Sequence, residues 1–598
     1  MKKKILFVGI FMLFLSGCMK NVLDRAPLNL ITDAEVWTSD NLAVVYLTTL
    51  YDNLPFGFYT SSTNPEQRFL SYETDESAWN GGNPVDDYGS DVNFLNTTAY
   101  QWIRNCNYFL ANVEAGNLPD KDELAGECRF LRAYYYFDLV RKYGGMPIIN
   151  QVQSFTGSNL TELQVPRNTE DSLYEFIGDQ LDSAASELPP SWDAANSNRA
   201  TMWAALALKS RAMLYAGSIA KYNPVQLNGL VGIPAGEANA YYNKSMAASK
   251  QIMNGAQFAL YTKYYDPVAQ TGNPSVNYQN IFLDKNNVEI IFQKAYSYPS
   301  KPNSYDAFNL PQGYTDNWGC YIDPFLEMVE SYEYVDGTPG TLKINDAGGN
   351  PIEYPDPNAI FANKDPRFDA SIFHGGDFLF TREIQMWAGI YDLNGVLFNS
   401  ATPFPADPST LGNGLDGPGL TDEGAFTKTG FDIKKYMDTA TLNTNDGTSD
   451  VNYIDFRYAE ILLNYVEAAF ETSSDLLGAL DAINQIRKRA GIRPLMASEL
   501  TTDRIRNERK VELAFEDKRM WDIRRWNIGP QLFNNTYMQG LWPYLKYKGN
   551  GKYTYIYKIN TGDPIDWGFS RLWQESDNYS ELSDYISTNP NIIQNPGW

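Results

Sequence analysis

The stretch IRNERKVELAFEDKRMWDIRRW, residues 505–526, decides the fold of this 598-residue chain. Its apolar residues recur at helical spacing, which predicts one long helix over the whole stretch. Glu508, Glu512 and Glu516 repeat every four residues among many arginines and lysines, so acids and bases can pair along the helix. Arginine also binds carboxylates bidentately and stacks on aromatic rings. We therefore expect a structural segment that joins layers of a large fold; a catalytic glutamate array is the alternative.

Similar periodic patterns predict further helices on both sides of this stretch. Their predicted bounds are residues 41–53, 100–113, 124–143, 170–188, 201–218, 238–254, 458–472 and 476–490. The short connections contain Pro119 or Pro189-Pro190, which is typical of antiparallel pairs, and Gly144-Gly145 ends the helix at 124–143. Repeated antiparallel pairs predict tetratricopeptide-like units, and an irregular helical bundle is the alternative.

Residues 261–450 differ from these helical blocks, because they contain short apolar pieces, Pro, Gly and Asn with little helical period. Residues 290–292 and 378–380 fit short strands. A structureless segment of this length is uncommon inside a compact domain, so we expect an organised, functional insertion. The sequence thus predicts a mainly α domain at 41–598, composed of a helical scaffold at about 41–260 and 451–530, the loop-rich insertion, and a loop-rich C-terminal region at 531–598.

The first 18 residues, MKKKILFVGIFMLFLSGC, combine three lysines with a short apolar run and end in Leu-Ser-Gly-Cys. The run is too short for a bilayer-spanning helix, and the whole pattern resembles a bacterial lipoprotein signal peptide. We expect cleavage after residue 17, lipidation of Cys18 and a tether over 18–40; an ordinary signal peptide is the alternative. Several acyl chains on one cysteine give stable anchoring, so we expect a protein anchored to a membrane without spanning it.

The amino-acid composition disfavours several functional classes. A formal net charge of −24 disfavours nucleic-acid binding. The single histidine, His374, the cysteine spacing and the lack of a Gly-rich phosphate loop give no basis for an enzyme, a metal site or a cofactor. A glycosidase-like carboxylate pair stays open, because the separation of carboxylates is not visible in a sequence. After loss of the leader, Cys106, Cys128 and Cys320 remain, so at least one must be a free thiol.

Aromatic residues are abundant, with 41 Tyr and 13 Trp. Aromatic rings fill cores, but they also form binding surfaces for flat apolar ligand faces. Residues 61–98 are rich in Gly, Asn and Asp and are predicted to be a long loop, and loops on a rigid scaffold often carry binding residues. Candidates in this loop are Trp79, Asn80, Asp86, Asp87 and Tyr88. For Trp79, packing against the body of the protein is the alternative.

Several segments resemble motifs of the SusD/RagB family of outer-membrane lipoproteins, and they occur in the family's order. The C-terminal signature is matched by Glu508, Arg509, Glu512, Phe515, Glu516, Arg519, Asp522, Arg524, Arg525 and Trp526. Further similar segments are ECRFLRAYYYFDLVRKYGGMP at 127–147, RYAEILLNYVEA at 457–468, INQIRKRAG at 483–491 and NPNIIQNPGW at 589–598. The resemblance implies a SusD-like fold with tetratricopeptide-like helix pairs and a loop-rich binding face.

The resemblance also implies a function. The protein would bind a glycan at the exterior face of the outer membrane, deliver it to a SusC-like TonB-dependent transporter, and catalyse no reaction. One alternative is a peptide-capturing member with the same transporter role, and another is a surface scaffold without a small ligand.

Aromatic contacts in this family lie in the early loop and near the middle of the chain. Trp79 and Trp318 are therefore the expected ring surfaces for a sugar, with Tyr296 and Trp387 behind them. Asn80, Asp87 and Asn317 are expected to bind hydroxyl groups. Core packing is the alternative for each ring.

Overall fold

The computed structural model describes residues 36–58, 70–79, 99–314, 319–418, 426–441, 443–534, 536–560 and 571–598. The predicted signal peptide and lipidation site at Cys18 lie outside these residues. No helix within the described ranges is long and apolar enough to cross a membrane. Cys106, Cys128 and Cys320 are all free thiols, so no disulfide joins these three.

Long helices form the scaffold. They are α1 (Asp40–Asp52), α2 (Ala99–Ala115), α3 (Lys121–Tyr143), α4 (Glu170–Glu187), α5 (Met202–Tyr222), α6 (Ala238–Gly255), α7 (Pro274–Leu283), α8 (Tyr458–Glu471), α9 (Leu476–Arg489), α10 (Thr502–Glu512) and α11 (Arg519–Trp526). Short helices are Leu160–Leu163, Tyr305–Asn309, Leu326–Ser331, Pro366–Ser371, Gly529–Phe533 and Ser583–Thr588. Single 3₁₀ turns are Leu70–Glu73, Ala194–Asn196, Ala235–Glu237, Gln312–Tyr314, Ala359–Phe361, Ala497–Glu499 and Glu575–Asn578.

The predicted helices outside 505–526 are confirmed to within four residues at either end. Several begin where a side chain accepts a hydrogen bond from a free backbone N–H, as Thr169, Thr201 and Asp475 do for α4, α5 and α9. Successive helices from α2 to α6 pack on one another, and α8 and α9 continue the stack from α6. Buried alanines and serines along α5 allow this close approach; the Ser210 and Ser249 hydroxyls are 2.8 Å apart across α5 and α6.

The stretch 505–526 is not one helix, so that prediction is wrong. It forms α10 and α11, separated by residues 513–518, in which Phe515 and Asp517 have positive φ angles of 60° and 57°. Partners from distant elements bind the backbone at this break. The Glu512 carbonyl accepts a hydrogen bond from Arg457 Nη2 at 2.6 Å, and the Ala514 carbonyl accepts one from Lys435 Nζ at 2.8 Å. These tertiary bonds offset the cost of interrupting the helix.

The charged residues of this stretch are buried, and most of them pair with other elements instead of along the helix. Glu512 is fully buried and contacts Arg457 at 2.6 Å, Arg367 at 2.8 Å and Arg489. Burial by itself raises the pKa of Glu512, but the three guanidinium groups outweigh it and hold that pKa well below its usual range. The expected joining of layers by ion pairs is confirmed: Arg525 binds both carboxylate oxygens of Glu467 on α8.

The insertion and the C-terminal region contain short strands. The longer ones and their sheet neighbours are β1 (Ile290–Lys294), β2 (Ile390–Tyr391), β3 (Leu397–Phe398), β4 (Tyr453–Arg457), β5 (Gly540–Gly549) and β6 (Lys552–Asn560). Strand β1 pairs antiparallel with β4, and a four-stranded sheet has the order β3-β2-β5-β6. Two-residue pairs join Ser77–Ala78 to Asp323–Pro324, Ile372–Phe373 to Asp432–Ile433, Tyr265–Asp266 to Thr271–Gly272, and Phe378–Leu379 to Arg382–Glu383; Pro403–Phe404 pairs with Asp407–Leu411.

Strands β5 and β6 form a hairpin in a region that the sequence analysis described only as loop-rich. The turn residues are Asn550 and Gly551, with φ angles of 55° and 67°. Asn-Gly favours this two-residue turn because both residues adopt positive φ at low cost. The signal was therefore present in the sequence and was missed.

Candidate ligand-binding site

Trp79 lies at the end of the strand Ser77–Ala78, where it is 38% exposed. Its indole stacks on the buried ring of Tyr72, with ring centroids 6.1 Å apart and planes inclined by 29°. One side of the indole is thus supported from within, while part of its surface faces solvent. A supported, partly exposed ring is suited to stack on the flat apolar face of a ligand.

The segment that carries Trp79 is held by residues of α10, of α11 and of the break between them. Asp75 accepts hydrogen bonds from Arg519 Nε and Nη2 at 2.7 and 2.8 Å, and Lys510 Nζ lies 2.9 Å from the same carboxylate. The next residue, Glu76, accepts a bond from the Phe515 N–H at 3.2 Å. The stretch that decides the fold therefore also positions the candidate site.

The two neighbouring carboxyl groups have opposite pKa shifts. Burial alone raises the pKa of Asp75, but Arg519 and Lys510 outweigh burial and hold this pKa well below its usual range. For Glu76, burial and the nearby Asp75 charge raise the pKa to about 8. Asp75 is consequently charged at neutral pH and Glu76 is mostly protonated, so the pair carries a single negative charge opposite two cations.

Arg571 reaches the same segment from the C-terminal region. Its Nη2 donates to the carbonyls of Tyr72 and Ser77, the second at 3.1 Å, and its guanidinium lies over the Phe325 ring at 5.3 Å. Neither Tyr72 nor Arg571 is predicted as a site residue from the sequence. Arg571 is 494 residues from Ser77 along the chain, so no local pattern could reveal the contact.

Tyr296 is placed differently from the prediction that it lines the site. It is only 3% exposed, and its hydroxyl accepts a hydrogen bond from the Phe58 N–H at 3.0 Å. Its own N–H donates to Asn452 Oδ1 at 2.9 Å. In this structure Tyr296 therefore presents no ring face to solvent.

Trp387 is half-buried next to the four-stranded sheet. Its indole Nε1 donates to the Leu411 carbonyl at 3.1 Å, and its ring packs near Ile390 and Leu545. Within the described parts of the chain, no hydrogen bond or ring contact joins it to Trp79. Asn80, Asp87, Tyr88, Asn317 and Trp318 lie outside the described residues, so their predicted roles stay predictions.

The comparisons with known proteins agree with this fold. A family model described as "SusD family" matches residues 288–598, over half of the chain, and one described as "Starch-binding associating with outer membrane" matches residues 42–214. A SusD-like protein of Bacteroides ovatus is 23% identical over 560 residues, covering 88% of this chain and 83% of that protein. The SusD-like protein P2 of Formosa agariphila is 41% identical over 132 residues, covering 20% of this chain and 26% of that protein.

Solved structures show the same architecture. A SusD-like protein of Bacteroides fragilis has a TM-score of 0.69 at 24% identity and covers 96% of this chain and 100% of its own. A SusD-like carbohydrate-binding protein of the same species has a TM-score of 0.69 at 23% identity, covering 93% of this chain and 100% of its own.

The helix pairs form a helical-repeat scaffold that presents the partly exposed ring of Trp79 at its surface. The chain belongs to the SusD family. The predicted family and the mainly α SusD-like fold are both confirmed.

Proposed function

We propose that this protein is a glycan-binding lipoprotein of the outer membrane that delivers its ligand to a SusC-like TonB-dependent transporter. It captures an oligo- or polysaccharide at the outer surface and does not cleave it. Family membership supports the binding role, and the description "Starch-binding associating with outer membrane" for residues 42–214 supports the location.

The observation that carries the proposal is the supported indole of Trp79. Sugar rings present apolar C–H faces edged by hydroxyl groups, so an indole with one side backed by Tyr72 can bind the sugar face. Such an open site is expected to have a Kd of about 1 μM to 1 mM, equivalent to roughly −8 to −4 kcal/mol. Weak binding of this kind allows release to a transporter.

Lipidation at Cys18 completes the proposed mechanism by keeping the protein at the membrane. Cys18→Ala is expected to abolish lipid attachment and to move the protein from the membrane fraction to the soluble fraction. Metabolic labelling with a radioactive fatty acid and cell fractionation measure the two effects. Label that persists in the variant would contradict lipidation at this residue.

Affinity electrophoresis of the mature chain against a panel of polysaccharides tests the binding role. One glycan is expected to retard the wild-type protein, and Trp79→Ala is expected to lose most of this retardation. Trp318→Ala tests the second predicted ring in the same gel. Phe155→Ala is the matched control, because Phe155 is also an exposed aromatic residue, at 64%, but lies between α3 and α4.

The outcomes separate the alternatives. Equal loss in Trp79→Ala and Phe155→Ala would contradict the assignment of the site. If no glycan retards the protein but a peptide mixture binds in a Trp79-dependent way, the peptide-capturing alternative replaces the glycan. If neither binds, the scaffold alternative is favoured.

A further inference from the structure

Three side chains with metal-binding atoms meet next to the strand that carries Trp79. Asp323 is the strand partner of Ala78, and Asp432 starts the strand Asp432–Ile433. Cys320 precedes Asp323 by three residues and has a positive φ of 52°. All three residues are fully buried, and one sulfur or carboxylate oxygen from each lies within 4.8 Å of the others.

Most of the carboxylate oxygens in this cluster have no hydrogen-bond partner outside it among the described residues. Asp323 Oδ2 accepts a hydrogen bond from the Lys428 N–H at 2.7 Å. Asp323 Oδ1 and both oxygens of Asp432 have no hydrogen-bond partner outside the cluster among the described residues; within it, Asp432 is in hydrogen-bonding reach of Cys320 and Asp323. Buried carboxylates are normally satisfied, as nearby Asp416 is by Arg382 at 2.6 and 2.9 Å. These oxygens of Asp432 and Asp323 therefore point to a missing ligand with positive charge.

A proton alone satisfies the cluster poorly. Burial raises the pKa of Asp432 to about 8, and burial together with the Asp432 charge raises the pKa of Asp323. One shared proton makes a single hydrogen bond between the two carboxyl groups and leaves the second oxygen of Asp432 with only the weak Cys320 thiol as a donor. A divalent cation can contact both carboxylates at once and neutralise their two negative charges.

We propose that Cys320, Asp323 and Asp432 bind one divalent cation of the zinc type. Zn²⁺ is held by carboxylate oxygens at about 2.0–2.2 Å and by thiolate at about 2.3 Å, so atoms within 4.8 Å of one another need only small movements to surround it. Thiolate is a soft ligand, which favours Zn²⁺ over Ca²⁺ or Mg²⁺. On binding, the Cys320 thiol and the protonated carboxyl group of the Asp323–Asp432 pair release their protons to solvent, and the thiolate and both carboxylates bind the metal.

The cation would join two separate segments of the insertion, 320–323 and 432, directly behind the strand pair of Trp79. Metal binding should therefore stabilise the fold and hold the segment that carries Trp79 in place. The expected gain in glycan affinity rests on the proposed function, whereas metal binding itself does not. The cysteine spacing matches no zinc motif and Asp432 lies 109 residues from Asp323, so the sequence alone predicts no metal site here.

The test uses the mature chain with Cys18→Ser, stripped with a chelator and titrated with Co²⁺ as a spectroscopic substitute for Zn²⁺. One ion per chain is expected, with a near-ultraviolet band from thiolate-to-Co²⁺ charge transfer that Zn²⁺ abolishes by competition. Cys320→Ser is expected to lose the band, and Asp432→Asn to lose stoichiometric binding. The double variant Cys106→Ser, Cys128→Ser is the matched control, because it removes the other two buried thiols and should keep the band.

Thermal unfolding distinguishes loss of metal binding from a folding defect in the variants. Zn²⁺ is expected to raise the unfolding temperature of the parent chain but not of Asp432→Asn, whose fold is checked by circular dichroism. If the parent chain binds no more Co²⁺ or Zn²⁺ than the Asp432→Asn variant does, the proposal is wrong. Asp323 and Asp432 would then be an acid pair that shares a proton. Ca²⁺ binding without a charge-transfer band would overturn the role of Cys320. None of these measurements uses a glycan, so failure of the metal proposal can be distinguished from failure of the proposed glycan binding.

Discussion

Two buried groups of charged residues in this protein have the same low exposure and opposite electrostatics. Around the break between α10 and α11, acids and bases alternate, and Arg457 alone contacts Glu289, Glu512 and Glu516 at 2.6–2.8 Å. Next to Trp79, Asp323 and Asp432 face each other, and the nearby Lys428 charge lowers the pKa of Asp323 too little to offset burial. The pKa of Glu516 is lowered, whereas that of Asp432 is raised to about 8.

Burial alone raises the pKa of both carboxyl groups, so the partner decides the direction. In the group around the break between α10 and α11, which we call the scaffold group, the partners are guanidinium groups of the protein itself. The compensating positive charge is therefore part of the folded structure. In the group next to Trp79 the Lys428 charge acts on Asp323 but leaves its pKa raised, so the remaining compensation comes from protons or from a bound cation. The first group is therefore expected to be insensitive to solution conditions and the second to depend on them.

Breaking the scaffold group should give the largest effect. Arg457→Met leaves three buried glutamates with too few partners, and a buried pair that loses one member costs about 3–5 kcal/mol of unfolding free energy. Urea denaturation followed by tryptophan fluorescence measures the shift of the midpoint. An unchanged midpoint would show that the three glutamates do not depend on Arg457.

The group next to Trp79 should give a smaller effect that depends on pH. In metal-free protein, Asp432 keeps its proton up to about pH 8 when folded but loses it near pH 4 when unfolded. Its stabilising contribution is thus complete below about pH 4 and is lost as the pH rises towards 8. At about 1.4 kcal/mol per pH unit, about 3 kcal/mol should disappear between pH 5 and 7.5.

Asp432→Asn provides the comparison for this pH dependence, because the amide does not titrate. Denaturation midpoints are measured with a chelator at both pH values, and the parent chain should fall more than the variant. Parallel pH profiles of the two proteins would contradict the raised pKa of Asp432. Carboxyl groups away from the cluster, such as Glu76, titrate equally in both proteins and cancel in the difference, whereas Asp323 also changes because the variant removes the Asp432 charge beside it.

The ring beneath Trp79 should contribute less. Tyr72→Leu removes a stacked aromatic pair worth about 0.5–1.5 kcal/mol, which corresponds to about 2- to 10-fold weaker retention by the glycan. Tyr72→Phe keeps the ring and should retain the parent behaviour. Affinity electrophoresis compares the two variants, and equal losses would assign the effect to the hydroxyl group instead of the ring.

Loss of an exposed ion pair should have the smallest effect on the unfolding free energy. Lys244 lies 2.6 Å from Glu175 between α6 and α4, and both side chains are substantially exposed. Lys244→Met should change the unfolding free energy by only about 0–1 kcal/mol, because water already stabilises both charges. An effect in urea denaturation as large as that of Arg457→Met would show that burial does not control the energy of these pairs.

The helices could be predicted because their apolar residues repeat at helical spacing over several turns. The break at 513–518 could not, since Arg457, Lys435 and Glu76 bind its backbone from positions far away in the sequence. The hairpin of β5 and β6 is a different case: its Asn550-Gly551 turn was readable in the sequence.

The candidate site is harder to predict from the sequence than the helices are. Trp79 and Tyr296 are both aromatic residues that were predicted to contact ligand, yet one is 38% and the other 3% exposed. Their different environments arise from tertiary contacts with Tyr72 and Phe58. Composition and spacing contain no information about such contacts, so aromatic abundance could indicate a binding surface without locating it.

Asp75 and Glu76 hold the chain just before Trp79, through Arg519 on α11 and Phe515 between α10 and α11. The backbone at residue 79 is thus positioned by the scaffold and not by its own side chain. Exchange of Trp79 for another residue should therefore leave the interior intact. The protein is suited to engineering at this position, where one scaffold can present different side chains.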